Sequence, residues 1–266
     1  MPVGHASGAR RAPAGRGRRQ QRPRRQQRRR RGRRRPPPRG RVHGRAPRRL
    51  GPLGLYRLLL AEYGELDWWP AEGPFEVMVG AVLAQRTAWA NVERALRSLR
   101  GAGVASPGEL LALPTARLEA LVRPTGTYKQ KAAGLRALFG EVESGGGLDA
   151  FLALPPDELR RRLLPIRGIG PETADSIVLY AAGGPVFVVD AYTRRLLGRL
   201  GIGAGGEGYD RVAAWFVRGL PGDVGTYRNA HAVIVEHGKR HCRAVPRCGG
   251  CPLAGACPSA AVESGG

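Results

Sequence analysis

The sequence predicts an all-α protein. Apolar residues recur at i, i+3, i+4 and i+7 through most of residues 51–237, the spacing of one helical face. Pro and Gly punctuate these stripes at short intervals, which implies short connections. Strand-type alternation is absent apart from a brief apolar run, Val186 to Val189.

Taken in order, Gly51 to Tyr63 forms a first helix, with Leu55, Leu58, Leu59 and Glu62 at helical spacing. Glu65-Leu66-Asp67-Trp68-Trp69-Pro70 is a loop holding two of the four tryptophans. Phe75, Met78, Val79 and Val82 mark a second helix, ending at Leu83-Ala84-Gln85-Arg86-Thr87. Trp89 to about Arg100 is a third, with Val92, Leu96 and Leu99 inward and Trp89 packing at its start. Short leucine-rich helices follow at 107–112 and 114–122, set off by Pro107 and Pro114. Tyr128 to Val142 is longer; it turns Leu135, Leu138 and Phe139 inward and Lys129 and Lys131 outward, and Gly145-Gly146-Gly147 breaks it. Pro155 to Leu163 is helical. Further helices are expected from 191 to about Leu200, at 209–218 and at 223–237, with a glycine-rich loop at 201–208.

The stretch Leu164 to Asp190 concentrates the chemistry. Gly168-Ile169-Gly170 is a turn, and Pro171 suits the first position of the helix after it, where a missing N–H costs nothing. Ala174, Ile177, Val178 and Ala181 give that helix one apolar face, and Gly183-Gly184 stops it. The apolar run that follows delivers one carboxylate, Asp190. A glycine turn before a helix exposes backbone N–H groups to a phosphate. A carboxylate at the end of a buried segment is a candidate for catalysis, and it equally suits the cap of the next helix.

Charge says less than it first suggests. The formal net charge is +23, but residues 1–50 hold 20 Arg and no Asp, Glu or Lys. The other 216 residues carry 24 basic against 21 acidic side chains, a net +3. The tail is nearly devoid of large apolar residues, so disorder is expected there. It either adds salt-sensitive, sequence-independent phosphate contacts or is a dispensable extension. It lacks the apolar core of a secretory signal, and no run of about 18 apolar residues suggests a membrane span. All four cysteines, Cys242, Cys248, Cys251 and Cys257, crowd into sixteen residues, which favours a metal site in a reducing cytosol over disulfides.

In combination these motifs resemble the helix-hairpin-helix DNA glycosylase superfamily. The residues that carry the resemblance are Gly168-x-Gly170 with Val189-Asp190, Gln85-x-Thr87, Tyr128-x-x-Lys131-Ala132 and the cysteine cluster, over roughly residues 52–258. It implies a two-lobe fold. Residues 67–184 would form a helical lobe with the helix-hairpin-helix at about 158–182, and residues 51–66 with 185–258 an iron–sulfur lobe. Residues 1–50 and 259–266 are expected to be disordered ends.

The resemblance also implies roles. Gly168 and Gly170 would let backbone N–H groups grip a phosphate near the lesion, with a monovalent cation possible at the hairpin. Asp190 would stabilise the oxocarbenium-like state formed as a base leaves its sugar and would orient the attacking water. Gln85 would fill the gap left by an extruded base. Lys131 and Arg243 would meet DNA, while Trp68, Trp69 and Lys239 would line the base pocket, the indoles suiting a cationic alkylated purine. His231 and His237 are assigned to structure. Members that also cut the backbone carry a lysine two residues after the second hairpin glycine, where it can form a Schiff base. Here that residue is Glu172, a solvent-exposed first-turn acid helping the helix dipole.

The pattern Gly-Ile-Gly-x-Glu-Thr-Ala-Asp, with Thr87-Ala88-Trp89-Ala90-Asn91-Val92-Glu93, looks most like the branch related to 3-methyladenine DNA glycosylase III. The expectation is therefore a monofunctional glycosylase, a monomer acting on double-stranded DNA with damaged bases, cytoplasmic and nucleoid-associated in a bacterial-type cell. The alternatives are an endonuclease III-like glycosylase with lyase activity for oxidised pyrimidines, or a non-catalytic binder of damaged DNA. The cysteine spacing x5, x2, x5 resembles the superfamily's [4Fe–4S] loop, one residue short in its first gap, and structural zinc would favour two tight pairs.

Overall fold

The computed structural model describes residues 50–66, 69 and 71–260. The expectations for the arginine-rich tail, for Trp68 and for residues 261–266 lie outside the described residues. Twelve α-helices run through the described residues: α1 Pro52–Tyr63, α2 Pro74–Leu83, α3 Trp89–Gly101, α4 Pro107–Ala112, α5 Thr115–Val122, α6 Tyr128–Ser144, α7 Leu148–Leu152, α8 Pro156–Leu163, α9 Pro171–Ser176, α10 Ala191–Arg199, α11 Tyr209–Gly219 and α12 Val224–Arg240. No strand occurs among the described residues, and none of their helices is long and apolar enough to cross a membrane.

Each helix has a local reason to begin. Pro opens α1, α2, α4, α8 and α9, where its fixed φ is already helical. Ser106, Asp190 and Asp223 cap α4, α10 and α12 by accepting the N–H three residues on, which satisfies one orphan donor apiece. The short α7 was not anticipated: the glycine break ends at Gly147, φ +90°, and α7 starts at the next residue around the buried Phe151.

Two hydrophobic clusters hold the helices together. One is built from α2–α8, with Phe75, Met78, Leu96, Leu118, Leu135, Phe139 and Phe151 among its buried residues. The other joins α1 to α10, α11 and α12 through Leu59, Leu197, Phe216, Tyr227 and Ile234. α9 belongs to both. It continues into a widened π turn, Ile177–Ala181, in which Ile177 and Val178 enter the first cluster and Leu179 the second. The extended segment after it buries Phe187, Val188 and Val189 in the second cluster, with Phe187 stacked on Phe216 at 3.9 Å. Asp190 therefore leaves the core at a fixed point, directly after three buried residues.

Candidate active site

The hairpin connects α8 to α9. Gly168 sits at φ +90°, a conformation that favours glycine, and a Cβ there would lie 3.8 Å from the Gly134 Cα. Gly170 differs. Its φ is −94° and a Cβ would meet nothing within 4 Å, so the fold leaves open space beside it at the start of α9, which has no side-chain cap. Gln85, just past α2, fastens the turn: its Nε2 donates to the Gly168 carbonyl at 2.8 Å and to the Thr173 hydroxyl at 3.0 Å. Sequence and structure thus bring Gln85, Gly168 and Gly170 together.

Lys131 corrects an expectation. It does not face outward: the residue is 4% exposed, and its Nζ donates to the carbonyls of Thr125 at 2.7 Å and Leu83 at 2.9 Å. Burial pushes its pKa down. Two of the three donors of its ammonium tie the end of α2 to the turn before α6, and the residue lines a cavity beside the hairpin with Gln85 and Gly168.

Asp190 is buried at the start of α10. Its Oδ1 accepts from the Thr193 N–H at 2.7 Å and the Thr193 hydroxyl at 2.8 Å, and its Oδ2 lies 3.7 Å from His231 Nε2 on α12. Burial by itself would raise the Asp190 pKa, but His231 and the two Thr193 donors outweigh it and hold the carboxyl below its ordinary value. Backbone placement is also controlled. The Tyr209 hydroxyl accepts from the Val189 N–H at 3.3 Å and lies near the buried Asp175 carboxylate, which pairs with Arg160 at 2.7 Å.

Glu172 lies in the first turn of α9 and is exposed, as its sequence position suggested. Its carboxyl nevertheless feels the site: lost hydration, then the Asp190 charge, push its pKa up, against weaker pulls from His231 and Arg194. The two acids are thus shifted in opposite directions.

The aromatic wall is partly the expected one. Trp69 stacks obliquely on Tyr180 at 4.6 Å and edge-on to Trp89 at 5.5 Å, and with Tyr180 and Arg228 it lines a cavity. The Tyr180 hydroxyl lies 2.7 Å from His231 Nδ1. Tyr180 is a residue that sequence reasoning passed over, and His231 is one that it assigned to structure alone. His231 falls on the buried stripe Tyr227, His231, Ile234, a signal of burial that does not name its partner. Lys239 is exposed in the last turn of α12 and does not line the Trp69 cavity.

The cysteines share one cavity, lined by all four together with His237 and Arg199. Arg199 Nη1 lies 3.2 Å from Cys242 Sγ, and His237 Nε2 lies 3.9 Å from Cys251 Sγ. The Arg199 N–H is a donor of the kind that suits a thiolate. Burial first, and then the neighbouring thiols, push the Cys251 thiol up. Among the described residues no three His, Cys, Asp or Glu side chains stand together in a metal-holding arrangement, so the thiols are gathered without being drawn to ligating distance. Arg243 is exposed in this loop, and its carbonyl accepts from Arg199 at 2.6 Å.

An all-helical fold, with a glycine hairpin at its centre and a buried capping carboxylate twenty residues past the turn, defines the helix-hairpin-helix class. The chain belongs to the HhH-GPD superfamily of base excision DNA repair proteins, whose family model matches residues 79–221. It is 42% identical over 201 residues to the Methanocaldococcus jannaschii protein named "Putative DNA repair glycosylase MJ1434", covering 74% of this chain and 91% of that one. It is 30% identical to Endonuclease III of Bacillus subtilis, over 67% of this chain and 78% of the relative. Among solved structures, the 3-methyladenine DNA glycosylase MagIII of H. pylori bound to 1,N6-ethenoadenine superimposes with a TM-score of 0.65 at 28% identity, over 72% of this chain and 98% of that chain.

Proposed function

We propose that the protein is a monofunctional DNA glycosylase that removes an alkylated purine from double-stranded DNA by hydrolysis. The observation that carries this reading is the pairing of a buried, ionised Asp190 with Glu172, rather than a lysine, beside it. Glutamate cannot form an imine, so water must take the sugar. As the bond between the base and C1′ of the sugar breaks, its electron pair leaves with the base and positive charge builds on the sugar. The Asp190 carboxylate stabilises that charge from a fixed position, orients the water that adds to C1′ and accepts the proton that this water loses. Gly168 and Gly170 would grip a phosphate, and Trp69 would offer a stacking face to the extruded base. Gln85 would have to leave its two hairpin bonds to fill the vacated stack. The two hydrophobic clusters correspond to two lobes on this reading, with Asp190 at the mouth of the cleft between them.

The four thiols suit a [4Fe–4S] cluster better than zinc, because the loop offers a single tight Cys-x2-Cys pair. Cys242, Cys248, Cys251 and Cys257 would hold it, and when bound it would tie down a basic loop bearing Arg243 and Arg247. Broad visible absorbance from a brown protein supports this; a colourless protein carrying zinc refutes it.

Release of a methylated purine from alkylated duplex, followed by alkali cleavage at the abasic site, tests the main reading. No released base overturns it. The similarity to Endonuclease III favours a second reading, a glycosylase with lyase activity. Borohydride reduction separates the two: a covalent protein–DNA adduct in the wild type supports the lyase, and its absence alongside base release supports hydrolysis.

A further inference from the structure

We propose that His231 is a positioning residue for Asp190 and that Tyr180 fixes which nitrogen of His231 carries the proton. The inference rests on the reading of Asp190 as the catalytic carboxylate. Burial pushes the Tyr180 pKa far up, so the phenol keeps its proton, and its oxygen lies 2.7 Å from His231 Nδ1. A phenol that donates to Nδ1 leaves the imidazole hydrogen on Nε2. Nε2 is the nitrogen turned toward Asp190 Oδ2, at 3.7 Å. The other tautomer would set an Nε2 lone pair against a carboxylate inside the protein, two acceptors facing each other with a cost that burial makes large. The tautomer follows from the carboxylate and the tyrosine together: the Tyr180 hydroxyl also reaches the Arg228 carbonyl, at 3.5 Å, but its contact with Nδ1 is much the shorter.

The two oxygens of Asp190 then have separate duties. Oδ1 is held by Thr193 as part of the cap of α10. Oδ2 faces the imidazole N–H, which keeps it ionised and in one orientation. At 3.7 Å the contact is longer than a hydrogen bond; contacts of this kind tighten when substrate fills the site. Tyr180 is itself fixed from several sides. Arg228 donates to the carbonyls of Leu179 and Tyr180 and lies 5.9 Å from the Tyr180 ring centre, and Trp69 stacks obliquely on the same ring at 4.6 Å. Continuous contacts therefore link the aromatic wall to the carboxylate. The other charged groups in this environment are Glu172, Arg194 and Arg228.

Three variants test the chain of contacts: His231→Met, His231→Gln and Tyr180→Phe, each assayed by single-turnover excision from alkylated duplex and by binding to the same duplex. His231→Met should slow excision by roughly ten- to a hundredfold, the range for a lost hydrogen bond to a charged group, with binding unchanged. His231→Gln keeps an N–H donor near the Nε2 position and should recover most of the loss. Tyr180→Phe should slow excision by less, and the double variant Tyr180→Phe/His231→Met should be no slower than His231→Met, because both act through one contact. A second readout needs no activity. The 13C signal of the Asp190 carboxyl, assigned by its loss in Asp190→Asn, should titrate at a higher pH in His231→Met and in Tyr180→Phe than in the wild type. An unchanged excision rate in folded His231→Met, losses that multiply in the double variant, or an unmoved titration overturns the proposal. If His231→Met does not fold, Tyr180→Phe gives both readouts. If the wild type releases no base, the glycosylase reading has failed, and the titration still decides whether His231 and Tyr180 govern Asp190.

Discussion

The segment from the hairpin to Asp190 and the loop from His241 to Pro258 both present chemistry-bearing side chains, and they are fixed by different physics. The first is nailed into two hydrophobic clusters by Ile169, Ala174, Ile177, Val178, Leu179 and the run Phe187 to Val189. The second buries Leu253 and Cys242 and little else. Its longest helical piece is a three-residue turn, Ala254–Ala256. What holds it are donors reaching in from α10: Arg195 to the Cys242 carbonyl at 2.6 Å, and Arg199 to the carbonyls of Arg243 and Ala244 at 2.6 and 2.9 Å. One region is ordered by apolar burial, which needs no ligand. The other is ordered by polar ties to a neighbour, and a group bridging its thiols would contribute its binding energy directly to folding. Apolar packing fixes the acid; metal binding would fix the loop.

The largest effect that could break this contrast is expected at Asp190. Asp190→Asn should cut single-turnover base release by about 10²–10⁴-fold, the span for losing a positioned charge or general base. The melting temperature should fall only modestly, because Asn keeps the cap about as well as Asp and loses only the stabilisation that the lowered carboxylate pKa represents. A collapse of thermal stability instead would mean that Asp190 is chiefly structural. The pH dependence has a definite sign. A folded pKa held below the ordinary aspartate value contributes stability above the unfolded pKa, and that contribution is lost as pH falls through the folded value. The acid limb of activity assigned to Asp190 should therefore lie below the ordinary aspartate value, and an acid limb above it contradicts the site's electrostatics.

The next effect is local. With the proposed [4Fe–4S] cluster bound, Cys251→Ser should bleach its visible absorbance and lower amide-exchange protection across residues 242–257 by about tenfold or more, with protection around the hairpin unchanged. Equal loss in both regions would show that they are ordered together, and the contrast would fall.

Lys131 sharpens the comparison at about 1–3 kcal/mol. That is the usual cost of leaving a buried acceptor unpartnered, and Lys131→Met orphans two carbonyls. The thermal midpoint should drop while the salt dependence of DNA binding keeps its slope. A slope smaller by about one ion would mean that the ammonium does reach a phosphate.

Lys131 also shows what the sequence made legible. The positions 131, 135, 138 and 142 share one face of α6, so the periodicity that located Leu135 and Leu138 already pointed this lysine inward. The outward reading followed residue type where the spacing was the better guide. Most helix boundaries were legible to within about two residues because Pro and Gly sit at the breaks, but α12 continues through Gly238 to Arg240, three residues past its expected end, and α7 was not expected. The cluster membership of Leu179 was not, since a π turn shifts the face that a straight helix would present. The partnership of Asp190 with His231 was not legible either. It spans 41 residues and depends on how α10 packs on α12, information that no local pattern carries.

The smallest expected effect, at Gln85, tests how far the hairpin depends on fastenings other than apolar burial. Gln85→Ala removes two hydrogen bonds, to the Gly168 carbonyl and the Thr173 hydroxyl. Both are at the rim of the fold, where water can replace the lost donor, so stability should fall by only about 0.5–1.5 kcal/mol. The division of that effect is informative. If Gln85 matters chiefly as a hairpin fastening, affinity for undamaged and alkylated duplex should weaken equally, since a looser turn grips any phosphate less well. If it moves into the stack, the loss should concentrate on alkylated duplex, because an extruded base leaves a gap that undamaged duplex does not have. Gln85→Asn separates these further: the shorter side chain keeps the amide but loses reach, and selective damage to excision there would favour the stack-filling role. A Gln85→Ala protein destabilised by several kcal/mol would show that apolar burial does not secure the hairpin, contrary to the contrast drawn with the cysteine loop.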